Sequence, residues 1–115
     1  MLPLDKVIDK IVALGIPGLV LVIVVSTTGL VGAAAITTAL ALLGGPLGML
    51  GGIATLGILL LISKAITVYG IEKIVYGVVN RFEKKGISKA EIIKKVESYL
   101  ISKSLKEKII SQLNK

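Results

Sequence analysis

Few side chains in this sequence could do chemistry. There is no Cys and no His. Thiolate nucleophiles, disulfides, the commonest proton shuttle and the commonest metal ligand are therefore all missing. The most apolar part of the chain offers only hydroxyls: Ser26, Thr27, Thr28, Thr37, Thr38, Thr55 and Ser63. A hydroxyl with no base beside it is not an activated nucleophile, and no Asp or Glu is close in sequence to these positions. In an apolar helix such a group donates instead to the carbonyl one turn back. The stretch "GGPLGMLGG" at 44–52 is rich in glycine, but no Gly-Lys-Ser/Thr follows it, so it is not a phosphate loop. The sequence predicts no enzyme, no cofactor and no metal site.

The spacing that does stand out concerns contact rather than catalysis. Gly29, Ala33, Thr37 and Ala41 recur every four residues, and Gly48 and Gly52 repeat that interval. Small residues at this spacing leave a smooth groove along a helix, and a second backbone can approach closely there. The partner is either the neighbouring helix of the same chain or a second copy, and the two arrangements are compatible. Gly44, Gly45 and Pro46 read as the turn of a helical hairpin: glycine caps the preceding helix and proline opens the next.

The elements that would carry these faces follow from charge. Residues 11–63 hold no charged side chain, a run of 53 residues. A helix of a soluble domain needs a polar face, so this run predicts burial in lipid or in a core. From Gly18 to Leu43 a helix would be about 39 Å long, enough for a bilayer. Leu47–Ile62, extended past Lys64, predicts a second membrane-competent helix that continues to about Val79 or Phe82. Ahead of them, "LDKVIDKIVAL" predicts a short amphipathic helix with Leu4, Val7, Ile8, Ile11 and Val12 on one face, broken by Gly15 and Pro17. Lys84, Lys85 and Gly86 end the long helix. Two capping boxes, Ser88 to Glu91 and Ser104 to Glu107, open a C-terminal helical hairpin with Ile92, Ile93, Val96 and Leu100 on one stripe and Leu105, Ile109, Ile110 and Leu113 on the other. The expected fold is all-α. Its expected units are a membrane-inserting domain over 1–82 and a small basic appendage over 87–115.

Net charge is +7, and residues 64–115 carry all of it. Lys64, Tyr69, Lys73, Tyr76, Arg81, Lys84 and Lys85 are the expected membrane-surface residues: tyrosine suits the interface and the cations suit anionic lipid. Tyr69 and Tyr76, seven apart, would lie near one face of a continuous helix. Nucleic acid is not the expected partner, because acids lie among the basic residues and Lys103, Lys106, Lys108 and Lys115 include no Arg for base reading. The 87–113 hairpin could instead take a protein partner. The N-terminus reads poorly as a secretion signal, since Asp5 and Asp9 cancel Lys6 and Lys10. With two spans, the positive-inside rule places both ends in the cytoplasm and "GGP" at the far face.

The segment "GLVGAAAITTALALLGGPLGMLGGIATLG", followed by amphipathic helices, resembles the bacterial Bell domains, kin to fungal HeLo-like domains, over roughly residues 15–82. The resemblance implies a helical cell-death executor that oligomerises and permeabilises a membrane. The sequence shows no amyloid-like Asn/Gln/Gly motif of the kind attached to such domains as a trigger. Holins and helical bacteriocins are similar in composition. Two alternatives stay open: a passive two-span anchor or docking protein, and a soluble bundle that oligomerises through its apolar hairpin, with or without a soluble precursor state.

Overall fold

The computed structural model describes residues 3–28 and 52–115, with side chains over 3–27 and 57–115. The described residues are all-α, with no strand among them. Six helices run in order: α1 (Leu4–Ala13), α2 (Ile16–Thr28), α3 (Gly52–Tyr69), α4 (Ile71–Lys84), α5 (Lys89–Ser98) and α6 (Lys103–Leu113).

Amphipathic patterning explains α1. Val7, Ile8, Ile11 and Val12 are buried, while Asp5, Lys6, Asp9 and Lys10 face water. The expected stripe is the observed one. The chain then turns sharply, and α2 is bent by 118° from the direction of α1. Gly15 makes this elbow with φ at +77°, a conformation that costs an L side chain but not glycine. Pro17 does not act as a breaker; it sits in the first turn of α2, where its missing N–H removes no helical bond.

Between α3 and α4 the expected continuous helix is interrupted. Gly70 adopts φ +87° and ψ 148°, a region that only glycine enters cheaply. Its N–H closes α3 onto the Ile66 carbonyl at 2.9 Å. The break coincides with a change in character. Leu59, Ile62 and Ala65 form the buried side of the apolar α3, and α4 buries Ile74, Val75, Val78, Val79 and Phe82 beneath a charged outer face.

The end of α4 follows expectation. The Gly86 N–H reaches the Glu83 carbonyl and the Ile87 N–H reaches that of Phe82, both at 2.9 Å. With Gly86 at φ +90°, this pairing is a Schellman cap. Ser88 caps α5, its Oγ accepting from the Glu91 N–H at 3.2 Å. For α6 the cap is Ser102, which accepts from the Leu105 N–H at 3.2 Å, so the box expected at Ser104 is displaced by two residues. Leu100 also leaves its expected stripe: α5 stops at Ser98, and Leu100 is 98% exposed.

The core is built around α2, which touches all five other described helices. Leu19 to Val25 are seven consecutive buried residues. An uncharged helix with no polar face can be stable only if it is covered all round. Here the inward stripes of α1, α4, α5 and α6, together with α3, supply that cover.

Candidate functional site

The feature most apt for function is this wrapped helix. It carries no charge, and its two polar side chains of known placement are satisfied internally. Ser26 Oγ donates to the Ile23 carbonyl at 2.7 Å, and Thr27 Oγ1 to that of Val24 at 3.1 Å. Both bonds reach one turn back, as the sequence predicts. Bonded in this way, the hydroxyls present little polarity to an apolar surrounding, whether protein or lipid. At 13 residues, α2 is about 20 Å long. No single helix among the described residues is long and apolar enough to cross a membrane, but the bent pair α1–α2 is so by length and composition.

At two points α1 comes unusually close to its neighbours, each time opposite a glycine. At Gly18 an added Cβ would stand 2.4 Å from the Ile11 carbonyl oxygen and 3.0 Å from Leu14 Cβ. The elbow closes this tightly only because α2 has no side chain there. At Gly77 an added Cβ would overlap the Cδ1 tip of Ile8. Beside that contact, Arg81 Nη1 donates to Asp9 Oδ1, clipping α4 to α1. The hydrogen bond and charge of Arg81 hold the Asp9 carboxyl below its ordinary value. Arg81, expected to face lipid, therefore already has an anionic partner.

The other expected surface residues are spread over two helices and a turn. Lys64 and Tyr69 lie on α3, Lys73, Tyr76 and Lys84 on α4, and Lys85 in the turn after it. Lys64, Lys73, Tyr76, Lys84 and Lys85 are exposed, while Tyr69 is partly buried against the core. The break at Gly70 removes the continuous helix on which Tyr69 and Tyr76 would have shared a face. Gly29, Ala33, Thr37, Ala41, Gly44, Gly45, Pro46 and Gly48 lie outside the described residues, and Gly52 is the first residue of α3.

Gly18 and Gly77 are the packing glycines that the spacing rule missed. It seeks repeats within one helix, whereas each of these is defined by a residue of α1. The C-terminal hairpin packs its two stripes on each other and on α2. Ile92, Val96, Ile109 and Leu113 are buried, with Ile93, Leu105 and Ile110 packed against them. Between α1 and α3 lies an apolar groove lined by Ile11, Leu14, Ile58 and Leu61, with Lys10 at its rim. Among the described residues no three His, Cys, Asp or Glu side chains come together.

The class defined by this arrangement is an all-α protein with an uncharged, mostly buried central helix. No family model, curated protein or solved structure matches the chain.

Proposed function

We propose that this protein is a membrane-inserting, self-associating helical protein whose inserting helix is covered in this fold, and that its release breaches a membrane. The observation that carries the reading is that α2 is uncharged and that neighbouring helices bury its Leu19–Val25 stretch on every side. Such a helix is compatible with two solvents, a protein core and lipid, because neither demands a polar face. Three features add support. The charge-free run continues far beyond α2, over residues 11–63. The outer face of α3 exposes Leu60 and Val68 with Lys64 as its one charge, a surface suited to a second copy. The net charge of +7 favours anionic lipid. The resemblance to Bell and HeLo-like domains points the same way.

Complete burial of Leu19 to Val25 favours a second reading in equal measure, that of a bundle in which α2 is a permanent core. Dye release from anionic liposomes, with sedimentation of the same samples, separates the two. Release that rises with protein concentration supports insertion. Binding without release leaves a passive anchor. Protein that neither binds nor releases is a permanent bundle, and the proposal fails.

A further inference from the structure

The tip of the α5–α6 hairpin is a convex apolar point set among cations. Residues 99–101 read Tyr-Leu-Ile. Tyr99 closes α5 in an extended conformation, φ −74° and ψ 148°, and Tyr99 and Ile101 both pack against the core. The chain bends through residues 99–101 between α5 and α6. At this bend Tyr99 and Ile101 take up the core contacts, and Leu100 between them is 98% exposed. One bond crosses the turn and one closes the end of α5. Lys106 Nζ donates to the Glu97 carbonyl at 2.8 Å, and Ser98 Oγ donates to that of Lys95 at 2.6 Å. Leu100 is thus held out by a braced turn.

The charge around it is mainly positive. Over residues 94–106 there are four lysines, Lys94, Lys95, Lys103 and Lys106, against one acid, Glu97, for a net of +3. Lys95 lies in the last turn of α5 and Lys103 is the first residue of α6, so exposed cations stand on both sides of the leucine. A protein partner needs an extended complementary surface, typically about 800 Å² on each side, and a single protruding leucine supplies little of it. A lipid interface accepts a convex point: the leucine enters the boundary between headgroups and acyl chains while the lysines meet phosphate.

We propose that this tip is the site by which the protein first docks on an anionic lipid surface, with Leu100 as the inserted anchor. The proposal rests on the membrane reading above only in requiring that the protein meet lipid. The chain has no Trp, so Leu100→Trp places a single fluorescent reporter at the tip. With phosphatidylglycerol vesicles the emission of this indole should shift to the blue and become shielded from an aqueous quencher; with phosphatidylcholine vesicles both effects should be weaker. Leu100→Asp should weaken vesicle binding about tenfold or more, with helix content unchanged because the residue is exposed. If the protein sediments with vesicles while the indole emission stays water-like, or if Leu100→Asp binds as well as the parent, the tip proposal is overturned and the membrane reading stands. If the parent does not bind vesicles, both fail. An indole that responds to polyglutamate and not to vesicles overturns the lipid proposal and reassigns the tip to an acidic protein partner.

Discussion

Replacing Gly18 by alanine should weaken this fold, whereas the same replacement at Gly57 should strengthen it. Both glycines are helical, so alanine gains helix propensity at each, by up to about 1 kcal/mol in a helix interior. The gain is smaller at Gly18, which lies in the first turn of α2. What differs is the space a methyl group would enter. At Gly57 nothing lies within 4 Å of the added Cβ. At Gly18 it would stand 2.4 Å from the Ile11 carbonyl oxygen, about 1 Å inside ordinary carbon–oxygen contact. That obstacle is backbone and cannot swing away, so α1 must move off α2 at the elbow. Overpacking of this kind costs about 1–3 kcal/mol, which exceeds the propensity gain. The expected net loss at Gly18 is about 1–2 kcal/mol, and the expected gain at Gly57 is about 0.5–1 kcal/mol. Near 4 °C of midpoint per kcal/mol for a chain of this size, these correspond to a fall of roughly 4–8 °C and a rise of roughly 2–4 °C. Thermal unfolding followed by far-ultraviolet circular dichroism measures both. Gly18→Ala melting at or above the parent temperature would refute the close approach of α1 and α2.

Two further predictions use local features. Ser102→Ala should cost about 0.5–2 kcal/mol through loss of the α6 cap, while Ser104→Ala should be close to neutral, and urea titrations of the pair check this. Asp9→Asn probes the clip to Arg81: a carboxyl held below its ordinary 3.8 contributes stability above that pH and loses it as pH falls through its lower folded value. The melting difference between parent and Asp9→Asn should therefore be full at neutral pH and shrink in acid, and a difference that is flat with pH would reject the clip.

Local chemistry was legible in the sequence where it needed no distant partner. The α1 stripe, the Gly86 cap, the Ser88 cap and the back-bonded Ser26 and Thr27 all depend on residues within one or two turns of each other. Gly70 was harder to see, since one glycine inside a helical pattern is often tolerated; the accompanying signal was the switch there from uniform apolarity to amphipathic alternation. At the start of α6 two serines compete, and the Glu107 of a capping box favours Ser104. Starting at Ser102 instead brings Lys106 round to the Glu97 carbonyl, a contact across the turn that no local rule scores. Leu100 continues the i, i+4 series from Val96, but α5 ends before reaching it. The roles of Gly18 and Gly77 exist only once α1 is folded against them, and neither shows in a scan of one helix. Hydropathy also could not tell a helix bathed in lipid from one wrapped by five neighbours, because it measures aversion to water alone.

The elbow at Gly15 has a consequence for timing. Straightened, residues 4–28 would make one helix of about 37 Å, the span that α1 and α2 fall short of singly. Reaching it means peeling α1 off α2, α3 and α4 and placing Gly15 and Pro17 inside a helix, so the motion is resisted by lost apolar contact and by an interior-proline penalty of about 3 kcal/mol; the Asp9–Arg81 pair adds a minor share. Spontaneous straightening should therefore be slow and steeply accelerated by warmth and urea, with little response to salt. On the membrane reading, the elbow would open on the timescale of unfolding unless lipid replaced the apolar contacts that α1 and α2 lose.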